Sequence, residues 1–176
     1  MTSTHDRRDE MRVSNLPADA RRPRRMSQRI AFGGPRILIL CSGNSCRSQM
    51  AEAFLRYFDS RIDVHSAGTR PARSVHPLAV KVMLEAGIDL SECRPKDVSR
   101  FVGLDFDYVI TVCDGARDEC PAFTGNVKHR LHFSFDDPVQ ATGTDDEVLE
   151  AFRKVRDGIR NKLYDFCWEY LPGWPF

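Results

Sequence analysis

Apolar residues recur along the chain in two alternating rhythms. "RILILC" at 36–41 is apolar almost throughout and ends in the small polar stretch "SGNSC", as a strand buried on both faces does. Beyond that turn, Met50, Phe54 and Phe58 recur at every fourth position, which predicts a helix with one apolar stripe. "DVHSAG" at 63–68 reads as a second strand. Pro77 then opens a helix carrying Leu78, Val82 and Met83, and Gly87 closes it. "DYVITVC" at 107–113 and "HRLHFSF" at 129–135 predict a third and a fourth strand. The last helix begins with a capping box, "TDDE" at 144–147, and carries Val148, Phe152, Val155, Ile159, Leu163 and Phe166 at steps of four and three.

Strands alternating with helices predict an α/β fold, a doubly wound parallel sheet flanked by helices. In that architecture ligands meet the carboxyl ends of the strands. Cys41 ends the first predicted strand, Cys113 the third, and Asp136 and Asp137 follow the fourth. These groups are expected to converge on one rim without being neighbours in sequence.

At 176 residues and 41% hydrophobic content the chain suits one domain, and no run is long enough to cross a bilayer. The formal charge of +1 hides an asymmetry, because the first 35 residues hold eight of the 26 basic and four of the 25 acidic residues. Residues 1–35 lack periodic apolar positions, so a disordered Arg-rich extension is expected there. The folded body is expected over 36–170, with a short tail at 171–176. A solvated extension is the simpler reading of the Arg-rich segment, and no nucleic-acid partner is expected. It has no apolar core of a secretory signal, so the expected location is the cytoplasm, where six cysteines favour catalytic chemistry over a disulfide ladder. There is no Cys-x-x-Cys, and His65, His76, His129 and His132 form no ligand pair, so no metal site is expected.

The turn after the first strand carries the sharpest chemistry. Ser42, Gly43, Asn44, Ser45 and Cys46 can turn their backbone N–H groups inward, where with the helix start they cradle a tetrahedral oxyanion. Arg47 closes the cradle with a permanently charged fork. The same positive field is expected to lower the pKa of Cys41 and make it a nucleophile aimed at the anion. Ser48, just inside the helix, can donate its hydroxyl to the thiolate. Cys46 and Cys167 read as packing residues, and Cys93 has no redox neighbour that the sequence identifies.

"CSGNSCRS" resembles the phosphate loop of the low-molecular-weight protein tyrosine phosphatases and of the arsenate reductases that share their fold. "SAGT" at 66–69, "VITVCDGARDECP" at 109–121, "FDDP" at 135–138 and "FRKVRDGIRNKL" at 152–163 are similar to the thioredoxin-coupled arsenate reductases, so the resemblance covers residues 36–166. It implies a four-stranded parallel sheet flanked by helices, in agreement with the periodicity.

Both branches use the loop and an aspartate before proline, so the cysteines separate them. Phosphate on Cys41 leaves only by hydrolysis, whereas arsenic in a Cys41 adduct takes two electrons when a second thiolate attacks the sulfur. Cys113 and Cys120 match the reductases' two further redox cysteines, and Val139 and Gln140 stand where phosphatases commonly place tyrosine. The resemblance therefore implies arsenate reduction through Cys41, Cys113 and Cys120, with Arg47 in the loop and Asp137 as general acid. No tightly bound cofactor is expected; the reductant is an external dithiol protein, thioredoxin or a similar one. Some relatives hold potassium beside the loop, and Asn44, Glu52 and Ser66 match three ligands, but Lys96 stands at the acidic fourth. A phosphatase using Cys41 and Asp137, and an arsenite sensor binding through three thiolates, remain as alternatives.

Overall fold

β1 (Arg36–Cys41) is the hub of the fold because it has neighbours on both sides. It pairs in parallel with β2 (Asp63–Gly68) from Arg36↔Asp63 to Cys41↔Gly68, and with β3 (Phe106–Thr111) from Ile37↔Tyr108 to Leu40↔Thr111. β4 (Val127–His132) adds to the far edge of β3, giving four parallel strands in the order β2-β1-β3-β4. Ile37, Leu38, Ile39 and Leu40 are all fully buried, which is why this strand shows no polar alternation. The chain is thus an α/β single domain built on a four-stranded parallel sheet. The structure is a computed structural model and describes residues 34–171, 173 and 174. The expected disorder of the front segment falls outside these residues, apart from Gly34 and Pro35.

Among the described residues four α-helices cover the sheet: α1 (Arg47–Phe58), α2 (Pro77–Glu85), the short α3 (Asp114–Asp118) and the long α4 (Asp145–Tyr170). Each opens and closes for a local reason. Pro77 occupies the first turn of α2, His76 Nδ1 accepts from Leu78 N–H, and Gly87, at φ 78°, lets the chain turn back so that Ile88 N–H reaches Met83 O. α4 carries the expected capping box: the Thr144 hydroxyl accepts from Glu147 N–H while the Glu147 carboxylate accepts from Thr144 N–H. Its stripe of Phe152, Val155, Ile159, Leu163 and Phe166 is buried, with Cys167 beside it, and α1 and α2 both pack against this helix. Val148 and Phe58, predicted on apolar stripes, are only half-buried. Trp174 is buried against Phe58, Tyr164 and Trp168, but Trp168 itself is 55% exposed.

Two predicted strands are shorter than expected. β3 ends at Thr111 rather than at Cys113, because after Val112 N–H bonds Leu40 O the chain turns and Cys113 becomes the N-cap of α3. β4 ends at His132; Phe133 N–H still reaches Thr111 O, and the chain then runs on to a single helical turn at Pro138–Gln140 capped by Asp137. The polar stretch after Cys113 is a short helix. Among the described residues no helix is long and apolar enough to cross a membrane.

Ile159 is fully buried where α4 meets the rest of the core. Ile159→Ala should cost about 2–5 kcal/mol of stability, read as a lower denaturant midpoint with an unchanged slope.

Candidate active site

The turn between β1 and α1 is held from outside by its carbonyls. Cys41 O, Ser42 O, Gly43 O and Ser45 O accept from the N–H groups of Thr69, Arg70, Ala72 and His76, at 3.2, 2.9, 2.8 and 2.8 Å. Because a trans peptide places N–H opposite C=O, each anchored carbonyl turns the next N–H inward. One such N–H, that of Asn44, points at Cys41 Sγ from 3.0 Å. The close approach behind the loop needs Gly68, where a Cβ would lie 2.5 Å from Ser42 O. Gly115 gives similar clearance, since a Cβ there would lie 2.8 Å from Ser42 Oγ.

Asn44 is the pivot of the turn. It is fully buried and adopts φ 48°, a left-handed conformation that asparagine tolerates better than most side chains. Its Nδ2 donates to Ser48 Oγ (3.0 Å) and Ser66 Oγ (2.8 Å), and its Oδ1 accepts from Lys96 N–H (2.7 Å) and Gln49 Nε2 (3.2 Å). Ser48, accepting from Asn44, keeps its proton for Cys41 Sγ at 2.7 Å. The Ser66 hydroxyl donates to Glu52 Oε2. The buried Glu52 is neutralised by Lys96 Nζ (3.0 Å) and by Arg56 (2.7 Å). Lys96 Nζ also lies 3.5 Å from Ser66 Oγ, so an ammonium already serves the cluster of Asn44, Glu52 and Ser66. A potassium ion does not fit beside that fixed cation. Among the described residues no group of three or more His, Cys, Asp or Glu side chains could hold a metal ion.

The electrostatics of Cys41 differ from the sequence-based expectation. Burial is the largest influence on the thiol and pushes its pKa up, while the hydrogen bonds from Ser48 and Asn44 N–H pull it down and the nearby Cys113 raises it further. The charge of Arg47 was expected to lower it, but the guanidinium faces elsewhere: one nitrogen donates to Phe135 O and another is paired with Asp137 Oδ2, each at 3.0 Å. Cys46, at the start of α1, is pushed up to about 12 by burial, as suits a packing residue; the same holds for Cys167.

The remaining predicted residues assemble unevenly. Cys113 is buried with its sulfur 3.6 Å from Ser42 Oγ, and it accepts from Ala116 N–H at 3.4 Å. Asp137 stands at the rim, tied to Arg47, and its other oxygen accepts from Val139 N–H at 3.3 Å. Cys120 lies beyond the far end of α3, half-buried, with Arg130 Nη1 3.9 Å from its sulfur. All six cysteines are free thiols. Two contacts were not foreseen from the sequence: Arg130 beside Cys120, and His132, which bridges Thr111 Oγ1 (2.8 Å) and Asp114 Oδ1 (3.1 Å) at the start of α3. Both depend on the register of β4, which no local pattern reveals.

The arrangement brings together a turn with inward N–H groups, the buried Cys41 sulfur, the Arg47–Asp137 ion pair at the rim and the Cys113 thiol beside Ser42. Comparison with known proteins matches it. The model of the low molecular weight phosphotyrosine protein phosphatase family matches residues 36–170. An arsenate reductase of Halalkalibacterium halodurans is 47% identical over 132 residues, covering 74% of this chain and 94% of that protein. One of Bacillus subtilis is 44% identical over the same shares. A solved arsenate reductase in the phosphate binding state superposes with a TM-score of 0.64 at 31% identity, covering 77% of this chain and 98% of that one. A Corynebacterium glutamicum thioredoxin-dependent arsenate reductase gives 0.55 at 30% identity, over 79% and 65%. Loop, sheet and relatives agree: the chain belongs to the low molecular weight phosphotyrosine protein phosphatase family.

Proposed function

We propose that the protein reduces arsenate to arsenite by passing one oxidising equivalent through Cys41, Cys113 and Cys120, and that a thioredoxin-like dithiol protein resets it. The observation that carries the reading is the position of Cys113, whose sulfur lies 3.6 Å from a side chain of the oxyanion loop. A hydrolase has no use for a second buried thiol there. The relatives named arsenate reductase, covered over nearly their whole length, support the same choice.

Arsenate binds the inward N–H groups of residues 42–47, and Arg47 turns from Asp137 to the anion. The Cys41 thiolate attacks arsenic, and Asp137, which takes up a proton from solvent once Arg47 has left it, gives that proton to the departing hydroxyl. The Cys113 thiolate then attacks Cys41 sulfur; the S–As electron pair stays on arsenic, which leaves as arsenite, and a Cys41–Cys113 disulfide forms. Cys120 attacks Cys113 and expels Cys41 as thiolate. Reduced thioredoxin, or a protein of like chemistry, takes the Cys113–Cys120 disulfide back to thiols. In this last pairing α3 must open. At about 1.5 Å of rise per residue the helix sets the two cysteines on the order of 10 Å apart, against roughly 4–7 Å between the Cα atoms of a disulfide.

Cys41 and Asp137 also suffice for phosphomonoester hydrolysis, so slow phosphatase turnover is part of the proposal. No metal is needed: the cluster that would take a potassium ion carries Lys96 instead.

Peptide mapping after arsenate is added to the reduced protein should find Cys113 bonded to Cys120. Cys113→Ser should leave Cys41 carrying the arsenic adduct and release no arsenite; release at the normal rate would defeat the reductase reading. Because burial raises the Cys41 pKa, turnover should climb with pH until the thiol is ionised. Ser48→Ala removes a hydrogen bond that favours the thiolate, so the rising limb of log(kcat/KM) should move to higher pH and the rate at pH 7 fall by about tenfold. Potassium should not stimulate the unaltered chain. Lys96→Met leaves the buried Glu52 paired with Arg56 and empties the place of the ammonium beside Ser66, so that variant should turn over more slowly and regain rate as potassium is added, which steady-state assays in sodium and potassium buffers will compare.

A further inference from the structure

β4 is the edge strand beside the redox segment, and its alternate residues Lys128, Arg130 and His132 face one way. Two of them grip the segment at opposite ends. His132 Nε2 meets Asp114 at the start of α3, and Arg130 Nη1 meets Cys120 Sγ just past its end, at 3.9 Å. The Arg130 guanidinium also lies over the Phe123 ring, 5.2 Å from its centre, so its place does not depend on the sulfur. Among the described residues no carboxylate pairs with Arg130, and its charge is therefore available to a neighbouring anion. Cys120 has one other polar contact, a long one in which its thiol faces Pro121 O at 3.8 Å.

We propose that Arg130 is a positioning residue for the second thiol exchange, holding the Cys120 sulfur against a fixed cation so that it attacks Cys113 as a thiolate. The inference rests on the reductase reading. In the step it serves, the Cys120 thiol gives its proton to solvent and its sulfur bonds to Cys113. The Cys41–Cys113 bond breaks with its electron pair on Cys41, which takes up a proton. One disulfide replaces another, with no net oxidation.

Why an arginine matters here follows from the two opposing influences on Cys120. Burial pushes this thiol up, and the charge and hydrogen bond of Arg130 pull it down. While a thiol titrates above ambient pH, lowering its pKa by one unit raises the thiolate fraction about tenfold and costs about threefold in intrinsic nucleophilicity, a net gain of about threefold. His132 does a different job at the other end. Its two ring nitrogens meet Asp114, a carboxylate, and the Thr111 hydroxyl rather than a redox sulfur.

The test uses the full chain, reduced, unaltered and as Arg130→Met and Arg130→Lys. Each is alkylated with iodoacetamide across a range of pH, and peptide mass spectrometry follows Cys120 alone. Arg130→Met should label Cys120 about threefold more slowly at neutral pH, with the profile displaced upward, and Arg130→Lys should recover most of the rate. In rapid-quench single turnovers with arsenate, Arg130→Met should accumulate the Cys41–Cys113 disulfide while releasing its first arsenite at the normal rate. Superimposable labelling profiles, alongside normal Cys113–Cys120 formation, would overturn the part given to Arg130 and leave the reductase reading intact. An unaltered chain that forms no Cys113–Cys120 disulfide would instead overturn the reductase reading, and the exchange step with it.

Discussion

The buried carboxamide of Asn44 is the constraint on which the site depends. Its two donors and its carbonyl oxygen tie together the loop, α1, β2 and the segment at Lys96, and they do so from a left-handed backbone that would relax if those bonds were lost. A buried polar side chain left without partners costs about 1–3 kcal/mol, so the network tends to stay whole or fail together. Its output reaches the sulfur by two routes: the Asn44 N–H, and the Ser48 hydroxyl that Asn44 orients. Glu52 and Lys96 complete the arrangement from behind. A carboxylate this buried needs a cation, and here the chain supplies two of its own.

The price of that enclosure is borne by the nucleophile. A thiol this buried resists ionisation, and the N–H groups and the Ser48 hydroxyl that favour the thiolate work against that burial rather than on an ordinary background. Arg47 would help most if it faced the sulfur, but its fork is engaged by Phe135 O and Asp137. The Arg47–Asp137 pair holds a carboxylate and a cation at the same rim, so an anion that recruits the guanidinium also releases the carboxylate. In the proposed reaction that release is what lets Asp137 take up the proton it later gives.

Much of this was readable from local patterns. β1 is apolar on both faces, the capping box starts α4 where the spacing placed it, and the step from strand to Gly-Asn turn to helix locates the loop, because each of these is settled within a few residues. The strand ends were misjudged for a reason equally physical. Val112 continues the apolar run of β3, but whether the chain stays extended is decided by a sulfur that accepts an N–H three residues ahead, and by the absence of a β4 partner that far along. The pairing of Arg47 with Asp137 and of Arg130 with Cys120 join residues far apart in sequence, set by the stacking order of the strands. The lowered pKa expected for Cys41 failed because burial, a property of the whole fold, outweighs the local N–H groups.

α3 is the least firmly held helix beside the site. Five residues make barely more than one helical turn, too few to be stable alone, so α3 persists through what holds its ends. At the start these are the Cys113 cap and the His132–Asp114 contact; at the end, Glu119 is held by Thr69 Oγ1 at 3.0 Å and Arg70 at 2.8 Å. The contacts of Glu119 are solvent-exposed, and exposed ion pairs contribute only about 0–1 kcal/mol each. The segment between Cys113 and Cys120 is thus folded by a small margin, which the proposed disulfide would have to exceed to open it. The core elements that hold Cys41 and its loop have no such weakness: β1 and the buried face of α1 are closed to water. Rigidity lies where the proposed reaction orients an anion, and marginal order where it moves a sulfur.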